Sequence, residues 1–140
     1  MTEPAPTVAA SLTADLIATA TTHGLAAFDG EPDPAPSGAD PRYLSITVQT
    51  GTPSDTRLAA AQPNYRTNVI VMCVARTRDG LRALAAATRA ALEHHRPLDG
   101  RFLLTERRDI QAPILTGGPT GDKRHTTNLY FTVTVPRSLL

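Results

Sequence analysis

Apolar residues recur along this chain with two different periods, and the switch between them predicts its elements. Val8, Leu12, Leu16 and Ile17 fall at helical spacing within Ala-rich filling, so a first helix is expected from Val8 to Thr22. Gly24 follows as its left-handed stop. Leu25–Phe28 reads as a short strand closed by the Asp29-Gly30 turn. Residues 31–41 (EPDPAPSGADP) hold four prolines and predict an exposed loop or linker.

The period then drops to two. Across Arg42–Thr50, Leu44, Ile46 and Val48 alternate with Ser45, Thr47 and Gln49, the pattern of a half-buried strand. Residues 51–64 follow as a long polar loop, a length that usually marks function or disorder. Tyr65–Arg76 is apolar on both faces, which predicts a central or doubly covered strand. From Thr77 to His95 the helical period returns through Leu81, Leu84, Ala85, Thr88 and Leu92, with Thr77 or Asp79 available as cap. Pro97 and Asp99-Gly100 end it. Arg101–Glu106 and Ile110–Leu115 are expected as minor strands, and residues 116–125 as a third long loop. In Thr127–Val135, Leu129, Phe131, Val133 and Val135 alternate with polar neighbours to make a final strand. The order predicts one α+β domain over residues 1–140, a mainly antiparallel sheet with two helices packed on one face.

Charge modifies this picture more than composition does. The net charge is only +1, yet residues 1–41 carry six acids and no Lys or Arg, while all 14 bases lie beyond residue 41. Such a dipolar chain can favour head-to-tail association, although a solvated acidic helix and loop would look the same. No stretch approaches the ~20 apolar residues that span a bilayer. The acidic, Pro-interrupted start lacks the form of a signal peptide, so neither export nor membrane attachment is expected.

Candidate chemistry is sparse. Cys73 is the single cysteine, which excludes an intrachain disulfide and a Cys-based zinc site, and its place in VIVMCVA reads as core filling. GGPTGDK has Asp122 where a phosphate loop needs glycine before lysine, and it leads into a strand, so it reads as a hairpin connection. His94 and His95 are adjacent, about 100° apart on a helix, and lack the i, i+4 spacing that clasps a metal. No nucleophile elbow and no Cys–His pairing is present. Arg107-Arg108 and Lys123-Arg124 could face nucleic acid, but the strands show no aromatic stacking pair. No catalytic residue, cofactor or metal is therefore expected.

The segment order, DGEP (29–32), the loop TPSDTRLAAAQ (52–62) and the block YRTNVIVMCVARTRDGLRALAAATRAAL (65–92) resemble the tail terminator, or tail-completion, proteins of long-tailed bacteriophages, particularly those of GC-rich actinobacterial hosts. CVART (73–77) running into an Ala-rich helix, RPLDGR (96–101) and the closing ILTGGPTGDKRHTTNLYFTVTV (114–135) carry the same likeness. The resemblance implies a non-enzymatic virion protein, assembled in the host cytoplasm, that forms a hexameric ring on the head-proximal end of the tail. It also implies contact with the tail tube protein and a head–tail connector protein, with genomic double-stranded DNA passing through the lumen without sequence-specific binding.

A ring of heterologous contacts needs two different surfaces per subunit. Asp55 and Arg57 are the candidate polar contacts in the 51–64 loop, with Arg66, Lys123 and Arg124 behind them. Solvated loop charges are the alternative for each. Another head–tail connector or minor tail protein, and a small enzyme or ligand-binding module, remain open readings of the same pattern.

Overall fold

A computed structural model describes residues 8–36, 41–53, 64–100, 102–110, 112–118 and 123–136. Its elements are α1 (Val8–Thr22), β1 (Ala27–Asp29), β2 (Tyr43–Pro53), β3 (Asn64–Ala75), α2 (Arg78–Leu92), the single turn α3 (Pro97–Gly100), β4 (Thr105–Glu106), β5 (Leu115–Gly117) and β6 (Arg124–Pro136). The sheet runs β1-β2-β3-β6-β4, with β5 also on β6. Every pairing is antiparallel except β1 with β2. The α+β class and the mainly antiparallel sheet expected from the sequence are present.

The register explains which side chains enter the core. Leu44 pairs with Cys73, Ile46 with Val71 and Val48 with Val69 across β2 and β3. Val71 with Leu129 and Val69 with Phe131 continue the rows into β6. These residues share one face because side chains alternate along a strand, and α1 and α2 cover that face through Leu12, Leu16, Ala20, Leu81, Leu84 and Leu92, all buried. Each Leu or Phe of this kind contributes about 1.5–3 kcal/mol of burial. On the opposite face lie Tyr43, Ser45, Ile70, Met72, Asn128, Tyr130 and Thr132, and this face carries no helix among the described residues.

Helix termini follow local chemistry. Thr77 caps α2, its Oγ1 accepting from Gly80 N at 2.9 Å. At the other helix, Gly24 adopts φ +78°, and Leu25 N donates back to Ala20 O at 2.9 Å to satisfy a terminal carbonyl. No described helix is long and apolar enough to cross a membrane.

Several boundaries differ from the sequence expectation. The first short strand is Ala27–Asp29, because Leu44 N bonds Ala26 O and Gly30 N bonds Ile46 O to set the parallel register. Among the described residues of the expected 101–106 strand only Thr105–Glu106 pair, and near the expected 110–115 piece the described strand is Leu115–Gly117. The last strand begins at Arg124, three residues early, because β5 pairs with Arg124–Thr126 and β3 with His125 and Thr126, which overrides the polar sequence. Both ends of the expected 116–125 loop are therefore strand, β5 to Gly117 and β6 from Arg124, and β2 runs on to Pro53 past a bulge between Gln49 and Thr52.

Candidate interaction surfaces

The candidate contact residues do not form one patch. Asp55 and Arg57 lie outside the described residues. Arg66 is exposed on β3, in register with Thr52 on one side and Thr134 on the other. Lys123 is exposed just before β6, and Arg124 is its first residue. Arg124 and Thr134 are ten positions apart on one strand, which at ~3.3 Å per residue places Arg66 about 33 Å from Arg124. Two ends of the sheet carry these charges.

At the Arg124 end a strap crosses the helix-free face. Residues 30–36 leave β1 and are fastened twice: Tyr43 Oη donates to Glu31 Oε1 at 2.8 Å, and Arg124 Nη2 donates to Pro36 O at 3.1 Å. Phe28 meets the Tyr43 ring edge-on at 6.0 Å. Burial, then the Glu31 carboxylate, push the Tyr43 hydroxyl above its usual pKa, and Arg124 partly offsets them. Of the Pro-rich 31–41 segment read as exposed, residues 31–36 are exposed or half-buried yet pinned, and Pro41 is buried. Beside it, Tyr43, Met72, Val74, Leu115, Thr126 and Arg124 line a shallow pocket of about 310 Å³.

A second tie went unread in the sequence. Asp15 on α1 faces His95, with His95 Nε2 at 2.7 Å from Oδ1, while Oδ2 accepts from Leu98 N at 3.1 Å. A carboxylate only accepts, so Nε2 carries the proton. Thr19 Oγ1 lies 3.1 Å from the same nitrogen. Two of the six N-terminal acids, Asp15 and Glu31, are therefore engaged within the subunit, which reduces the charge separation available to neighbours.

The basic pair Arg107-Arg108 is also matched. Arg107 Nη2 meets Asp109 Oδ2 at 2.7 Å, and this hydrogen bond holds the Asp109 carboxyl below its usual pKa, with the charge of Arg66 a weaker contribution. Arg108 Nη2 donates to both Glu93 oxygens, at 2.8 and 2.9 Å, and Arg89 Nε donates to Glu106 Oε1 at 2.8 Å. Arg89, Glu106 and Arg108 rim a groove of about 510 Å³ between α2 and β6. Matched guanidinium groups of this kind offer little net attraction to a phosphate backbone.

The remaining chemistry is inert. Cys73 is fully buried, and desolvation pushes its thiol up to about 11, against a small lowering by Thr88. No group of three His, Cys, Asp or Glu that could hold a metal occurs among the described residues.

The same arrangement of elements occurs in a known particle. The chain is similar to a solved chain described as "Virion of native gene transfer agent (GTA) particle". The two superpose with a TM-score of 0.64 at 21% identity, over 94% of this chain and 99% of that one. At this identity the likeness shows a shared fold, end to end. No protein-family model matches the chain, and no curated protein does.

Proposed function

We propose that this protein is a structural component of a phage-like particle, a tail terminator that closes the head-proximal end of the tail tube as a homo-hexameric ring. The observation that carries the reading is the near-complete fold likeness to a chain of a gene transfer agent virion, 94% of one against 99% of the other. The sequence resemblance to tail-completion proteins supports the finer role. In this role the ring stops tube growth, presents a docking surface to a head–tail connector protein, and leaves a lumen for double-stranded DNA. Matched arginines beside α2 suit a subunit that works through protein surfaces, with any lumen contact to DNA non-specific.

Negative-stain imaging with mass photometry tests this, on the purified protein alone and mixed with purified tail tubes. Six-fold rings of about 90 kDa (six copies of 14.9 kDa), free or capping tube ends, are expected. A chain that stays monomeric and leaves tube ends bare overturns the proposal.

A further inference from the structure

The sheet is unevenly covered along its two flanks. β1 pairs with β2 only at Leu44, Ser45 and Ile46, although β2 runs to Pro53. On the other flank β5 covers Arg124–Thr126 and β4 covers Phe131–Thr132, although β6 runs to Pro136. Among the described residues, no strand covers the outer edge of β2 beyond Ile46 or the outer edge of β6 beyond Thr132, the edges turned away from β3. Both bare stretches lie at the same end of the sheet, since Thr52 and Thr134 share the partner Arg66.

Backbone direction follows from the same pairings. Leu44 N and Ile46 O point outward to β1, so alternation turns the N–H and C=O of Val48 outward too. On β6, Tyr130 O points outward to Arg107 N, so the N–H and C=O of Thr134 also face away from β3. Edge strands usually carry charges or prolines that block pairing with another chain. Here β2 has no charged residue from Tyr43 to Pro53, and β6 has none from Thr126 to Pro136. The prolines stand only at the ends, at Pro53 and Pro136, where they bound the open stretch without closing it.

We propose that β2 of one copy, around Val48–Thr52, adds to the edge of β6 of the next copy around Thr134, as a parallel strand pair. The direction selects this contact. β2 and β6 are both antiparallel to β3 and therefore parallel to each other. Joining β2 to a neighbour's β6 keeps every subunit in the same orientation, which is a heterologous contact that repeats and closes into a ring. Joining β2 to β2, or β6 to β6, gives a two-fold dimer that stops. The pairing rests on the ring reading proposed above and names the surfaces that make it.

Cysteine cross-linking of the whole chain tests it, because Gln49 and Thr134 are both exposed on the helix-free face. A chain carrying Gln49→Cys and Thr134→Cys together should give an oxidised ladder up to the ring size on denaturing gels. Each single variant should stay monomeric there, with buried Cys73 unreactive. Thr134→Pro removes the outward N–H without touching the β3 ladder, and should lower the fraction of rings at least tenfold with an unchanged circular dichroism spectrum. Rings that form without a ladder, or a disulfide-linked dimer from Gln49→Cys alone, overturn the strand pairing and leave the ring reading standing. A protein that forms no ring even on tail tubes overturns both.

Discussion

Removing Asp15 tests whether the acidic N-terminal part serves the fold or a neighbour. Its carboxylate accepts from His95 Nε2 at 2.7 Å and from Leu98 N at 3.1 Å, with both side chains about a quarter exposed (Asp15 27%, His95 23%). Hydrogen bonds to a charged group contribute roughly 1.5–3 kcal/mol when buried, and partial solvation reduces this. Asp15→Ala breaks both bonds and should cost about 2 kcal/mol. His95→Ala removes the Asp15 bond and the 3.1 Å contact of Nε2 with Thr19 Oγ1 but leaves Leu98 N on the carboxylate, and should cost about 1 kcal/mol, so the order of the two losses is itself expected. Because the residues share a bond, the double variant should lose about 1 kcal/mol less than the sum of the singles. Urea denaturation at pH 7 reads all three, and Tm should fall by about 3–4 °C per kcal/mol for a domain of this size. Additivity within about 0.3 kcal/mol would falsify the clasp. Variants of full stability that fail only in assembly would instead assign Asp15 to an intersubunit contact.

The other expectations concern the core, a helix end and the strap. Thiol reagents at pH 8 should label Cys73 only on unfolding, because its thiol is held near 11; labelling of native protein at the unfolded rate contradicts its burial. The same shift has a pH signature. With the folded value raised above the ordinary 9.0, the contribution is complete below pH 9 and is lost as pH rises toward 11, amounting to about 3 kcal/mol at most. Denaturation midpoints at pH 8 and pH 10.5, compared with those of a Cys73→Ala variant, read it. Gly80→Ala should destabilise despite alanine's helix propensity, since the new Cβ would sit 2.9 Å from Thr77 Oγ1, the capping atom; a rise in Tm would refute this. Tyr43→Phe releases Glu31 and should cost about 1 kcal/mol, with faster proteolysis within residues 31–36; an unchanged digestion pattern speaks against the strap.

Periodicity carried the elements with strong internal signals. β3 is apolar on both faces, and the structure places it at the centre of the sheet, while the α2 stripe from Leu81 to Leu92 is buried as read. The bounds of elements held by their neighbours were not legible. β4 has two residues and β5 three, too few for a period, and β1, expected at Leu25–Phe28, takes its limits from the backbone of β2. His125 and Thr126 became strand through pairing on both sides, and Arg124 through β5 alone, against their polar composition. The Asp15–His95 tie joins residues 80 apart, and no local spacing encodes it. A carboxylate on one helix and a histidine pair just past the end of the other are the only trace it leaves. Arg66 and Arg124 were grouped by charge, and the register separates them by most of a strand.

The pairing of β3 with β6 also has a consequence for how the chain reaches this fold. Partners such as Ala75 with His125 and Asn64 with Pro136 stand 50 and 72 residues apart in sequence. Closing loops of that length precedes any gain from the ladder, so this step should set the folding rate. During synthesis, the β2–β3 hairpin and α2 can form while the central strand still has one edge bare. Until the thirteen residues of β6 emerge, the nascent domain is a half-sheet with an apolar strand open to any passing chain. Truncation within β6 should therefore yield insoluble product, and a chaperone that shields that edge should raise the yield of full-length protein.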